Sequence, residues 1–209
     1  ASDVYKRQEV LSCIGANKPG EMVMAGKDAN FVLYRTENAP AERPEEMFYW
    51  LVAAEKADSL GVDIINSSLG YNTFDNRNLS LNYSQMDGNT ILVSRAADLA
   101  ASVGMIVVNS AGNEGNNGLW QGKITAPCDA DSILCVGSID LIGQRATSSG
   151  RGPTADNRIK PDVAGFGVSV PVANPYNISG GTFASGTSFA APFVAGIMKL
   201  CWDYNRTNA

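Results

Sequence analysis

Met105-Ile106-Val107-Val108-Asn109-Ser110-Ala111-Gly112-Asn113 holds the key to the fold. Its first five residues read as a strongly apolar strand, and the rest as a Gly-bearing turn with Asn113 at the tip. An apolar run with no polar face suits a parallel strand covered on both sides. Working outward, Thr90 to Val103 reads as a helix ended by Gly104. Asn72 to Asn89, polar and rich in Asn and Ser, reads as a surface loop. Val62 to Asn66 is a strand, Pro44 to Leu60 a helix ended by Gly61, and Phe31 to Tyr34 a short β-prone run. On the other side, Ile133 to Val136 is a strand. Ser188 to Asp203 is apolar on nearly all sides and reads as a buried helix. This alternation predicts an α/β fold, a doubly wound and mostly parallel sheet with helices on both faces. There is no internal repeat and no linker, so one domain is expected.

Composition narrows the function classes. In 209 residues, 44% are hydrophobic and 18% charged, a globular balance. The formal net charge of -5 argues against nucleic acid as a partner, since phosphate contacts need a basic face. No apolar stretch is long enough for a membrane span. Oligomeric state is not legible. Cys13, Cys128, Cys135 and Cys201 form no C-x-x-C pair, and the sequence has no histidine, which disfavours a zinc site. Free buried cysteines are the plain reading, with a Cys128–Cys135 disulfide as the alternative. Residues 2–8 resemble a translated sequencing-adapter sequence. Residues 1–8 are therefore set aside as non-native or disordered, leaving 9–209 as the domain.

Three short motifs bear chemistry. Gly186-Thr187-Ser188-Phe189-Ala190-Ala191-Pro192 opens the last helix. A Ser there has an unpaired N–H and the positive end of the helix dipole beside it, although a Ser at a helix start is also an ordinary cap. Val107 to Gly115 carries Asn113 just beyond a strand's carboxyl end, where ligands of open α/β sheets bind. Its amide can donate to a developing oxyanion; the bland reading is a turn Asn. Val62-Asp63-Ile64-Ile65-Asn66-Ser67-Ser68-Leu69-Gly70 ends in a small-residue turn. It reads as a plain strand exit or as an extended edge for a peptide.

Taken together, these motifs resemble those of the subtilases, the subtilisin-like serine proteases (peptidase family S8). The Gly186–Pro192 motif resembles the nucleophile motif, Asn109–Gly115 the oxyanion-Asn motif, and Asp63–Gly70 the substrate-binding strand. Ser148–Gly152 with Ile159–Ala164, and Ala126–Pro127 with Ile133–Gly137, resemble two further family segments in the family's order. The resemblance spans about residues 9–203. It implies a serine endopeptidase acting on polypeptides, with Ser188 as nucleophile and Asn113 as oxyanion donor. Ser68, Leu69 and Gly70 would form one wall of the substrate pocket, and Ser110, Ala111 and Gly112 the other. Small residues there imply an opening for large apolar side chains. No cofactor is implied. Structural calcium occurs in the family, but no D-x-[DN]-x-[DN]-G loop is present. A secreted or cell-envelope location is implied.

The resemblance also exposes a gap. A triad Ser needs a base and a carboxylate to hold it, and no base-bearing motif points at Ser188. Lys160 matches a position common in members that also have the His. The expectation is a truncated enzyme whose catalytic Asp and His lie upstream, inactive by itself; the alternative is a peptide-binding pseudoprotease. The family's Asp-bearing strand would run between those matching Phe31–Arg35 and Val62–Asn66, so both should lack a neighbour. A nucleotide-binding protein is disfavoured because Gly112, Gly115 and Gly118 have the wrong spacing. An α/β-hydrolase is disfavoured because there is no G-x-S-x-G.

Overall fold

Val107 and Val108 point to opposite faces of one sheet, and each meets a different core. The computed structural model describes residues 3–38, 40–177 and 180–208. In chain order the elements are α1 (Asp3–Gly15), β1 (Asn17–Lys18), β2 (Met22–Val23), α2 (Glu45–Ser59), β3 (Ile64–Ser67), α3 (Leu92–Ser102), β4 (Ile106–Ser110), β5 (Leu134–Ile139), β6 (Val163–Phe166), β7 (Val170–Ala173), β8 (Gly181–Ala184) and α4 (Thr187–Asn208).

Strands β3, β4, β5 and β6 pair in that order and all run parallel. Below them, Val107 packs with Trp50, Ala97 and Ala100 of α2 and α3. Above them, Val108 and Val136 pack against Ala190, Ala191 and Val194 of α4. Coverage of both faces explains the unbroken apolar run in β4. α1 lies on α4 and β7, where Cys13, Val170, Val172 and Phe189 form a further cluster. The α/β architecture is therefore as expected, with the antiparallel ribbons β1–β2 and β7–β8 added at its margin.

Residues 3–8 form the start of α1. Several local expectations change. The Asn72–Asn89 segment is more than a surface loop. It folds through turns at Arg77–Leu79 and Tyr83–Gln85 and inserts Phe74 and Met86 into the α2–α3 core. Only the first half of α4 is buried; Ile197, Leu200 and Tyr204 are exposed. Phe31 to Tyr34 is not a strand: among the described residues it pairs with nothing, and Phe31, Val32 and Leu33 are exposed. The outer edge of β3 likewise has no neighbour among the described residues.

Two cysteines are not free. Cys128 and Cys135 form a disulfide with Cα atoms 5.0 Å apart. Parallel pairing sets Cys135 beside Asn109, and the bridge packs with Ala111 and Ile124. The plain reading holds for Cys13, buried and unbridged, but Cys201 is free and exposed. Burial pushes the Cys13 thiol up to about 12.

Candidate active site

Ser188 sits in the first turn of α4, facing the carboxyl ends of β3 and β4. It is buried. The next turn contains Pro192, which has no N–H to offer the carbonyl four residues back. That carbonyl belongs to Ser188, and it accepts a 2.7 Å hydrogen bond from Ser68 Oγ. In return, Ser188 Oγ donates to the Ser68 carbonyl at 3.3 Å. The end of β3 is thus clasped to the start of α4. Trp50 Nε1, donating to Ser67 Oγ at 3.1 Å, holds the same strand end from the opposite face.

Asn113 reaches the helix start from the β4 side. Its Oδ1 accepts from the Thr187 N–H at 3.0 Å and from Thr187 Oγ1 at 3.2 Å. It therefore serves as a helix cap supplied from another loop, satisfying one of the donors that a helix start leaves unpaired. Gly186 makes the approach feasible: at φ +146, a Cβ there would stand 3.3 Å from Asn113 Oδ1. With Oδ1 anchored, the Nδ2 donors point away from Thr187. Neither Nδ2 nor the Ser188 N–H donates to another group among the described residues. Ser188 and Asn113 are linked through Thr187, to which the sequence reading gave no role.

The two segments expected to wall the substrate pocket stand side by side. The Leu69 carbonyl accepts from Asn109 Nδ2 at 3.2 Å and from Ser110 Oγ at 3.3 Å, which joins them. Ser68, Ser110 and Ala111 are buried. Between Gly70 and Gly112, however, the space is filled. A Cβ on Gly70 would overlap Thr125 Oγ1, and one on Gly112 would come within 2.5 Å of the same atom. Both glycines are thus packed closely against the Thr125 side chain.

Among the described residues, no titratable base contacts Ser188, and its hydroxyl bonds only the Ser68 carbonyl. Lys160 is turned elsewhere, its Nζ donating to the Ile133 carbonyl and pairing with Asp162 at 2.8 Å. Its reading as structural stands. Glu37, Glu42 and Glu46 gather acidic oxygens within 4.8 Å of one another. Glu46 already accepts from the Asn38 and Arg43 N–H groups, and Glu37 from Tyr71 and Thr36. Both Glu46 oxygens and Glu37 Oε1 are thus engaged by protein donors.

Comparison with known proteins agrees with the fold. The model of the subtilase family, Peptidase_S8, matches residues 14–207. Subtilisin DY of Bacillus licheniformis is 36% identical over 146 residues, covering 70% of this chain and 44% of the relative. Subtilisin E of Bacillus subtilis is 33% identical over 156 residues, covering 73% of this chain and 34% of the relative. This chain thus spans less than half of either protein. Among solved structures, the PatG macrocyclase in complex with peptide superposes with a TM-score of 0.71 at 20% identity, over 92% of this chain and 51% of that one. Sphericase superposes at 0.58 and 26% identity, over 78% and 51%. Among the described residues, no helix is long and apolar enough to cross a membrane.

Proposed function

The chain belongs to the subtilase family of serine proteases, and on that premise we propose that Ser188 is the nucleophile of an endopeptidase. In this reading Ser188 Oγ attacks the carbonyl carbon of a peptide bond and loses its proton to a base. The C–N bond breaks, the departing amine takes a proton, and water then cleaves the acyl-serine ester. The negative oxygen formed in each step is held by Asn113 Nδ2 and the Ser188 N–H, assisted by the α4 dipole. The observation that carries the proposal is the Thr187-anchored amide of Asn113, whose donors stay free beside Ser188.

The base is not among these 209 residues, which contain no histidine. A backbone carbonyl such as that of Ser68 cannot take a proton at neutral pH. We therefore assign the base and its supporting carboxylate to protein sequence beyond this segment, and expect the segment alone to be inactive. The Cys128–Cys135 bridge supports an oxidising, secreted or envelope location.

A second reading, a peptide-binding pseudoprotease, is favoured by the same missing base. The test is to express the protein with whatever sequence its gene adds. Cleavage of casein that disappears in Ser188→Ala supports the enzyme. Peptide binding without cleavage supports the pseudoprotease.

A further inference from the structure

Asn66 lies inside β3, where an asparagine is out of place by propensity. The alternation of the strand shows which side it serves. Ile65 packs with α2 and α3, and Ser67 accepts from Trp50 of α2. On the other face, Ile64 packs with α4, and Ser68 bonds to α4. Asn66 stands between Ile64 and Ser68 in the row that faces α4. Its Nδ2 donates to Ser68 Oγ at 3.3 Å.

The number of protons fixes the direction of these bonds. The Ser188 carbonyl can only accept, so the one hydroxyl proton of Ser68 goes there, at 2.7 Å. Ser68 Oγ must then accept from Asn66, and the amide must present its NH2. That orientation leaves Asn66 Oδ1 sealed from water and without a hydrogen-bond partner. Buried acceptors are seldom left so, because the lost contact with water costs free energy. The amide is committed to Ser68 in spite of that cost. The Ser188 carbonyl in turn depends on Ser68, because Pro192 gives it no helical donor. A serine side chain has three staggered positions, and the bond from Asn66 favours the one that reaches Ser188.

Resting on the proposed function above, we propose that Asn66 is a positioning residue for Ser188, acting through Ser68. It touches no reacting atom. It holds the Ser68 hydroxyl against the Ser188 carbonyl and so fixes the first turn of α4, from which Ser188 presents both its Oγ and its N–H. Without Asn66, Ser68 can turn away, and nucleophile and oxyanion donor lose their alignment together. This slows the reaction more than it weakens substrate binding.

The test uses the protein expressed with whatever sequence its gene adds. Cleavage of fluorescein-labelled casein is read as kcat and KM, beside the rate at which a fluorophosphonate labels Ser188. Asn66→Ala should lower kcat and the labelling rate about tenfold, with KM within about twofold of the parent. The isosteric Asn66→Asp, which cannot donate while ionised, should do the same. Ser68→Ala should lower both rates at least as far, and Asn66→Ala should add no further loss in its presence. Thermal unfolding shows which variants are folded at the assay temperature; if Asn66→Asp is not, Asn66→Ala and the double variant decide. Unchanged kcat in Asn66→Ala would overturn the proposal. So would losses that multiply in the double variant, or a loss confined to KM. A parent protein that neither cleaves casein nor takes the label would defeat the nucleophile reading itself, and the proposal with it.

Discussion

Ser68 and Ser188 bond each other reciprocally, hydroxyl to carbonyl in both directions, at 2.7 and 3.3 Å. The shorter bond exists because Pro192 cannot serve the Ser188 carbonyl. Ser68→Ala should leave that buried carbonyl short of a donor and cost about 1–3 kcal/mol. Pro192→Ala restores an N–H at the right place, so Ser68→Ala should cost less in its presence. A double-mutant cycle by denaturant unfolding checks this. Coupling below about 0.5 kcal/mol would mean that the two residues act independently.

Asn113 has two separable tasks. Its Oδ1 caps α4 through Thr187, and its Nδ2 is free for substrate. In catalytically complete protein, Asn113→Ala should lower kcat by about 10²–10³ and leave KM little changed. It should also cost about 1 kcal/mol of stability through the lost cap. Asn113→Asp keeps an acceptor for Thr187 but loses the donor, so stability should recover while kcat stays low. Recovery of both would remove the amide from the reaction.

Much of this was legible in the sequence, for physical reasons that can be named. The β4 run and its turn needed only hydrophobic pattern and glycine, and Pro44, Gly61 and Gly104 marked helix ends correctly. Strand β6 was missed because its short, Gly-containing run Val163–Phe166 is held by pairing with β5 and contact with α4. Phe31 to Tyr34 has strand-forming residues but no partner strand among the described residues, and propensity without pairing does not make a sheet. The packing of Thr125 was invisible because its neighbours Gly70 and Gly112 lie 55 and 13 positions away in the chain. Pro192 four residues after Ser188 was a readable signal: it announces an orphan carbonyl beside the nucleophile.

The unpaired edge of β3 has a consequence for folding. Each buried backbone group left without a partner costs about 1–3 kcal/mol, against a domain's total margin of about 5–15 kcal/mol. Open strand edges also template association between chains. The 209-residue segment alone should self-associate or lack a sharp thermal transition. Sedimentation of a soluble monomer that melts cooperatively would contradict this.

Glu37 provides a pH test. Burial, together with nearby Glu46 and Glu42, holds its carboxyl above the ordinary value, outweighing the bonds from Tyr71 and Thr36. The folded state therefore keeps this proton to higher pH than the unfolded chain. The stability it contributes is present below pH 4.5, the ordinary glutamate value, and is lost as pH rises through the raised one. Glu37→Gln cannot ionise and can still accept from Tyr71. It should be more stable than the parent at pH 7, with the difference fading below the ordinary value. Thermal unfolding across pH measures it; a variant less stable at pH 7 would show that the charge is favourable there.

The central claim is that Ser188 becomes a nucleophile when the rest of the protein supplies a base. The most direct measurement is labelling with a fluorophosphonate, followed by mass-spectrometric mapping of the modified residue. Protein expressed with its additional sequence should carry the label on Ser188, and the 209-residue segment alone should carry none. Label on another residue, or label that persists in Ser188→Ala, would contradict the account.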